Sequence, residues 1–553
     1  MSEERPLPER IPVVIVGAGP VGLALAGDLG WRGIPCVVLE RSDGRITQPR
    51  MDGVGVRTME FCRRWGIAEW VADSPYPRDL PQDNVYVTSM AGFELEREPM
   101  PAPGEDLGPP QSPERRERCP QDMFDPILRK FASSLDPVQL RYHAEVTQVV
   151  DRGDEVVVSV SDTRDGTERA IRADYVVGCD GAASTVRRAV AIKMSGDAVL
   201  THSTNVIFRH PDLAALCQKP RGYRFICIGE EGTYATVVAI NGRDRWRLSI
   251  IGDETRRELD PETVKATIRR AVGVEFDFEV ESTVPWARRE AIAERYRSGR
   301  VLLAGDAAHV MSPTGGFGMN TGIGDAVDLG WKLEAVLSGW GGPGLLDSYE
   351  PERKPVAERN ARESTTNLGN LLAPRTKRPP AAVFADGRLG VRARADYGQW
   401  FKALVRREWF SIGIHLGYEY NDSPIIFTLP DREMSSDITT YVQSSAPGSR
   451  APHAWLSEGR STLDLFGRGF VLLTFGAEKT EAEKLLAAAD RQGVPCAAVA
   501  VDDRDIAELY EEPLVLVRPD GFVAWRGEEA PADPDAVIST VRGAAPVATA
   551  VRR

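Results

Sequence analysis

Near the start of the chain an uncharged apolar run, Pro12 to Val16, breaks on Gly17-Ala18-Gly19-Pro20-Val21-Gly22. A short all-apolar run reads as a strand covered on both faces, the pattern of a parallel sheet. Pro20 suits the first turn of a helix, where the N–H it lacks would have no intrahelical acceptor, and that helix is expected to run to about Gly30. "PCVVLE" gives a second strand ending at Glu40. Strand, glycine-rich turn, helix and strand make a βαβ unit, and this constrains the fold to the doubly wound α/β class. The helix start offers free N–H groups and partial positive charge, and the glycines let a pyrophosphate approach the backbone. Glu40 is placed to accept hydrogen bonds from an adenosine ribose. Gly17, Ala18, Gly19, Pro20, Gly22 and Glu40, with Arg41 beside it, are therefore the expected dinucleotide-binding residues.

"GRVLLAGDAAHVMSPTGGFGMNTGIGDAVDLGWKL", residues 299 to 333, is equally rich in glycine, which weakens both strands and helices. A strand-like run ends on Gly305-Asp306, and a loop opens into a helix expected to start near Met319 and Asn320. The acid can accept hydrogen bonds from sugar-like hydroxyls. The loop, with Pro313, Gly316 and Gly318, can pass beneath a flat ring, and the helix dipole favours negative charge there. A third segment, "DYVVGCDGAASTVRRAV", ends a buried strand on Cys179-Asp180-Gly181 and continues through Ser184 and Arg187 on a helix. Alone it reads equally well as a strand-turn-helix with the acid as a cap.

At 553 residues the chain is long enough for two to four domains. A net charge of -13 argues against nucleic acid and anionic membrane as partners. Residues 11 to 27 carry no charge, but Glu3, Glu4 and Glu9 precede them and Asp28 follows, so a signal peptide or membrane span is not expected. The seven cysteines are scattered without a CxxC pair, and the six histidines form no HExxH. The expectation is a cytoplasmic protein with no metal site and no disulfide framework. Between residues 203 and 252 lie short runs rich in β-branched and aromatic residues, expected to form an antiparallel sheet inserted between two parts of the α/β domain. The helical pattern after Lys332 continues to about residue 370, and a smaller α/β pattern begins at Gly448.

The three glycine-bearing motifs, in this order and spacing, resemble the flavoprotein aromatic hydroxylases, the FAD-dependent monooxygenases built like p-hydroxybenzoate and phenol hydroxylases. The resemblance covers roughly residues 11 to 370. It implies FAD at Gly17 to Gly22 with Glu40, at Asp180, and at Gly305-Asp306. It also implies FAD contacts from Arg50, Arg118 and Gln121, which lie in matching "PR" and "RCPQ" stretches. The flat ring beside the loop is then an isoalloxazine, with Pro313 carried over as both a flavin-contact and a catalytic position. The implied reaction uses NADPH or NADH and O2 to hydroxylate a phenolic aromatic compound through a C4a-hydroperoxyflavin. A Baeyer–Villiger or epoxidising enzyme of polyketide tailoring is the same-fold rival, and a non-catalytic FAD- or NAD-binding sensor is a distant one.

Asp52, in "PRMDGVGVRTMEF", matches an acid that sits beside the substrate hydroxyl in phenol hydroxylases, and is the expected catalytic carboxylate. Its plainer reading is a turn acid before Gly53. Arg57 and Glu60, three apart on the next helix, are expected to pair structurally. His309 belongs to the family's Gly-Asp-Ala-Ala-His signature and is expected to pack rather than catalyse. Arg245 and Arg247 share one face of a strand, mostly a solvated face, with a substrate-carboxylate contact as the sharper alternative. The chain's end resembles the thioredoxin-like C-terminal domain of the phenol hydroxylase branch, but Cys496 has no CxxC partner. A structural role or a homodimer contact is expected there instead of a redox one. The expected partition is an FAD-binding domain in two parts (1–195 and 286–375), a substrate sheet (196–285), a connecting segment (376–445) and the thioredoxin-like domain (446–553).

Overall fold

The computed structural model describes residues 6–545, except 47, 50, 253, 254, 257, 429–436, 457 and 458. Its first sheet has the order Arg297–Ser298, Val301–Leu303, Glu168–Gly178, Arg10–Val16, Cys36–Leu39, Val138–Arg141. The four central pairings are parallel. Every residue of Cys36–Leu39 is buried, as the all-apolar runs require of a sheet covered on both faces. The helix Pro20–Trp31 covers it, and Gly27 and Gly30 let Phe131 and Val138 approach the helix backbone.

The second sheet is mainly antiparallel. Its order is His309–Val310, Glu279–Ala293, Met194–Arg209, Arg245–Ile251, Gly232–Ala239, Arg224–Gly229, Asn84–Val87, Glu94–Glu98. The last two strands come from the segment expected to belong wholly to the FAD-binding part. Asn84–Val87 joins through the sheet's one parallel pairing among the described residues, to Arg224–Gly229. One face of the sheet packs Phe208, Trp246 and Leu248 against the helix Pro261–Val272. The other carries Tyr86 and Ile226 toward the helices Tyr349–Leu372 and Gly387–Trp409.

The helical pattern after Phe317 is two helices, Phe317–Leu337 and Tyr349–Leu372, parted at Gly341-Gly342-Pro343. Gly342 has no room for a side chain, since a Cβ there would lie 2.3 Å from the backbone of Ala544. The C-terminal sheet runs Cys496–Ala500, Phe470–Thr474, Leu514–Val517, Val523–Gly527, with one parallel and two antiparallel pairings. This βαβαββα order is the one expected of a thioredoxin-like domain. Its core is continuous with that of the first domain: Phe470 packs edge-on against Trp331 and Trp340, with ring centroids 6.1 and 6.2 Å away. No helix among the described residues is long and apolar enough to cross a membrane.

Candidate active site

The first glycine motif sits at the carboxyl end of Arg10–Val16, and its three glycines answer to three different demands. Gly17 has φ +105°, and a Cβ there would lie 2.5 Å from the Cys179 carbonyl oxygen. A Cβ on Gly22 would lie 2.0 Å from the Gly17 carbonyl oxygen. Gly19 differs, because a Cβ there would meet nothing within 4 Å. The outer glycines thus serve the turn and the strand–helix contact, and the middle one keeps open ground where a pyrophosphate can reach the backbone. No side chain caps the helix after Gly19, and its first turn holds no acid, so its N–H groups and dipole are uncommitted. Glu40 accepts hydrogen bonds from the Ala18 N–H (3.0 Å) and from the Ser42 N–H and hydroxyl, which fixes its carboxylate beside the turn. Arg41 is exposed next to it.

Asp180 stands at the carboxyl end of the neighbouring strand, and its carboxylate is largely used within the protein. It accepts from the Thr185 and Val186 N–H groups and the Ser184 hydroxyl, so the capping reading holds for this side chain. Ser184 in turn caps the helix Thr185–Ala189 through the Arg187 N–H.

Asp306 follows the strand Val301–Leu303 on a short 3-10 turn and is exposed. The helix after the loop starts at Phe317, two residues before its expected start, behind a left-handed Gly316 with φ +70°. That helix also lacks a side-chain cap and a first-turn acid. Gly316 faces open space, as does Pro313, whose carbonyl accepts from the Gly316 N–H at 3.0 Å. The glycine density has a second cause that sequence reasoning missed. Gly305 and Gly322 leave room for Val21, Gly324 for the Arg353 guanidinium and Gly330 for Asp28. Close packing of the helix Pro20–Trp31 and of Arg353 from the helix Tyr349–Leu372, more than a ring, demands those four. Gly318 has only Met311 near, at 3.6 Å, and Met319 is half-buried.

Asn320 joins this helix to the Asp52 loop. Its Oδ1 accepts from the Gly55 N–H at 2.8 Å and the Thr58 hydroxyl at 2.7 Å, and its Nδ2 donates to the Gly316 carbonyl at 2.9 Å. Its side chain is therefore a brace, and only its backbone remains for a ligand. His309 is fully buried, with Nε2 2.7 Å from Asp325, which also accepts from Arg353 Nε at 2.8 Å and the Gly305 N–H at 3.1 Å. Burial raises the Asp325 pKa, but His309 and Arg353 outweigh it and hold the carboxylate below its ordinary range. The histidine holds the Gly305 turn, in line with its expected packing role.

Asp52 is not a free acid. Arg247 donates Nη2 to Oδ2 at 2.5 Å and Nη1 to Oδ1 at 3.2 Å, and the Tyr223 hydroxyl donates to Oδ2 at 2.8 Å. Burial works against the charge, but Arg247, Arg118 and Tyr223 together keep the Asp52 pKa below the usual carboxylate value. Arg118 lies with its Cζ 3.8 Å from the centre of the Tyr223 ring and donates Nε to Gln82. It reaches this place because Gly53–Val54 pairs with Glu117–Arg118. Gln121 begins the next helix, with its N–H bonded to the Met51 carbonyl at 3.0 Å. Arg50 lies outside the described residues.

The expectation of a solvated arginine face is corrected. Arg247 is taken by Asp52, while Arg245 is bonded to Asp122 at 3.1 Å and to Glu281 at 2.8 Å. The inward face of this sheet is a set of paired charges, and a strand pattern alone could not show that their partners come from other elements. Sequence reasoning also passed over Glu408 and Arg224. Glu408 accepts from Arg224 at 3.0 Å and from the Gly315 N–H at 3.2 Å, so the end of Gly387–Trp409 holds the glycine loop. Half-buried His415 sits against Gly55 and Phe317, and desolvation followed by the Arg116 charge pushes its pKa down to about 4.

Two uncapped helix starts, an acid beside each turn and a carboxylate held at the sheet face are features that a dinucleotide cofactor and a small polar ligand can use. The chain matches the FAD binding domain over residues 10–364 and the C-terminal domain of aromatic-ring hydroxylases over residues 444–545. It is similar to a 4-methyl-5-nitrocatechol 5-monooxygenase from Burkholderia, with 32% identity covering 97% of each chain. A putative polyketide hydroxylase from Streptomyces halstedii is 32% identical, covering 94% of each chain. Among solved structures, that of the rebeccamycin biosynthetic enzyme RebC with reduced flavin is 39% identical. It aligns with a TM-score of 0.90 over 98% of this chain and 100% of that one. The protein belongs to the FAD-dependent aromatic-ring hydroxylase family, and it is an FAD-dependent monooxygenase.

Proposed function

We propose that this protein hydroxylates a phenolic aromatic compound, with FAD as cofactor and NADPH or NADH and O2 as co-substrates. Supporting this reading is the link from Asp52 through Gly55 to Asn320. The carboxylate stands three residues before an N–H that is bonded to the first turn of the helix behind the glycine loop. Residues Gly17 to Gly22, Glu40 and Asp180 would hold the ADP half of FAD. Asp306, Pro313, Gly316, Gly318 and Met319 would hold the rest, with Arg118 and Gln121 nearby. Bound there, FAD supplies the reduction and oxygen chemistry. The chain's own part is to place the phenol, exclude water and favour the electron-rich ring.

Arg247 and Tyr223 use three of the roughly four acceptor positions of the Asp52 carboxylate, leaving one on Oδ1 for a substrate hydroxyl. An ionised acceptor there raises phenolate character and with it electron density at the ortho and para carbons. Because Asp52 is held ionised, it polarises and orients the hydroxyl more than it carries the proton away. The putative polyketide hydroxylase among the relatives supports an aromatic polyketide as the phenolic substrate. Baeyer–Villiger oxygen insertion or epoxidation is the alternative reaction of the same site. The expected domain partition belongs to this reading too, with residues 84–98 reassigned to the substrate sheet.

Screening single- and fused-ring phenols for stimulated NADPH or NADH oxidation, with product masses and positions, tests this reading. One added oxygen on a ring carbon supports it; a lactone or epoxide product supports the rival. Substitution of Asp52 by Asn should leave FAD bound and lower product per NADPH by about tenfold or more, with partial recovery at high pH where the phenol ionises unaided. Unchanged coupling near neutral pH would return Asp52 to the role of a turn acid.

A further inference from the structure

On the strand Glu279–Ala293, Trp286, Arg288 and Glu290 alternate onto one face. The Thr365 hydroxyl donates to Glu290, so this face lies against the helix Tyr349–Leu372. Arg288 is 5% exposed, and its hydrogen bonds among the described residues run from Nη1 alone, to the hydroxyls of Thr201 and Ser203. Its Nε has no partner, nor has the indole Nε1 of Trp286, over whose ring the guanidinium sits at 4.6 Å. Ser364 and both ends of the Asn367 amide, buried on the facing helix, are likewise unpartnered.

Among the described residues no carboxylate is bonded to this cation. Its neighbours Arg224 and Arg375 add positive charge, and Glu408, the nearby acid, is engaged by Arg224 and Gly315. Burial and those two arginines push the Arg288 pKa down to about 9. A buried guanidinium left on two hydroxyls lacks the partner that offsets its desolvation. Its planar fork fits a carboxylate in two parallel hydrogen bonds. We propose that Arg288 anchors the substrate, and that the substrate of the reaction proposed above is an aromatic carboxylic acid. In this arrangement the acid group lies at Arg288 and the phenolic ring lies toward the glycine loop, whose Gly315 N–H is bonded to Glu408. The proposal rests on the hydroxylase reading, but binding tests it separately from turnover.

The test uses the full-length FAD-loaded protein and matched probes: 4-hydroxybenzoate, 1-hydroxy-2-naphthoate and a hydroxyanthraquinone carboxylate, each against its methyl ester. Binding is followed by tryptophan fluorescence, to which Trp286 contributes, and by perturbation of the flavin absorbance. At least one acid should bind roughly tenfold or more tightly than its ester. Arg288→Gln should abolish that preference with FAD content unchanged, and Arg288→Lys should keep part of it. Acids and esters of equal affinity, no acid bound by about 1 mM, or a preference intact in Arg288→Gln would each overturn the proposal. The wild-type comparison decides the matter even if Arg288→Gln fails to fold. An acid that binds as expected but gains no oxygen would count against the hydroxylase reading and leave the anchor standing.

Discussion

The glycine cradle and the seam between the first and last domains are built on opposite terms. The cradle is open: Gly19 and Gly316 face free space, two helix starts lack side-chain caps, and Asp306 is exposed. The seam is closed. Trp331, Trp340 and Phe470 pack across it, and behind them Arg518 joins Glu352 at 2.7 Å, Asp328 at 3.1 Å and Asp520 at 2.6 Å. Lys332 adds bonds to Asp328 at 2.7 Å and Glu352 at 2.6 Å, and all five charged groups are buried. A second cluster, Arg57–Glu60–Arg450, fastens the Val56–Arg64 helix to the start of the C-terminal domain. The cradle leaves backbone open at Gly19 and Gly316, whereas the seam pairs charged side chains from distant parts of the chain. The C-terminal domain therefore braces the helix that follows Asp52, which is a structural use for a domain without a cysteine pair.

The comparison breaks first, and hardest, at the glycines. In Gly22→Val the new Cβ meets the Gly17 carbonyl, which has nowhere to move, so little folded protein should be recovered, as judged by soluble yield and circular dichroism. Normal yield and FAD content in that variant would remove the packing role of the third glycine. Next in size is Arg518→Met, which leaves buried Glu352 and Asp328 with Lys332 and the Ser423 hydroxyl and takes the arginine from buried Asp520. Breaking such a cluster costs on the order of 3–5 kcal/mol, read as a lower denaturation midpoint. FAD affinity of the folded fraction should stay near wild type.

A smaller effect follows from pH. Burial opposes the Glu60 charge, but Arg450 and Arg57 outweigh it and hold its pKa at about 2, below the ordinary 4.5. A depressed carboxylate contributes stability that is complete above about 4.5 and is lost as pH falls toward 2. Glu60→Gln should thus be less stable near neutral pH, and its stability should converge with wild type as pH falls through that window. Parallel curves would show that the charge of Glu60 does not fasten the seam. Smallest of all is Cys496→Ser. This thiol is half-buried and its pKa is pushed up to about 12 by burial, so turnover should not change.

The same division explains what could be read from the sequence. The cradle is local: Gly17 to Gly22 and Glu40 span one βαβ unit, and residue types at fixed spacing carry its geometry. Arg57 and Glu60 were legible for the same reason, being three apart on one helix. Arg450 was not, standing 390 residues from Glu60, and Arg518 lies 190 residues from Asp328. Arg245 and Arg247 showed their shared face but not their acids, which come from other elements. The strands Asn84–Val87 and Glu94–Glu98 escaped because they are short and the second is mostly charged. Gly305, Gly322 and Gly330 were visible as glycines, but their neighbours Val21 and Asp28 belong to a helix about 300 residues away in sequence, so only the fold assigns them.

We propose that the cradle holds FAD through open backbone while stability resides elsewhere. Titrating FAD into apoprotein of wild type and Gly19→Val, alongside denaturant unfolding of both apoproteins, tests it most directly. A Cβ at Gly19 meets no protein atom within 4 Å, so the two apoproteins should unfold at the same midpoint. The variant's FAD affinity should fall about a hundredfold or more, as a branched side chain blocks the pyrophosphate. Unchanged FAD affinity in Gly19→Val, or an apoprotein destabilised by the same substitution, would contradict the account.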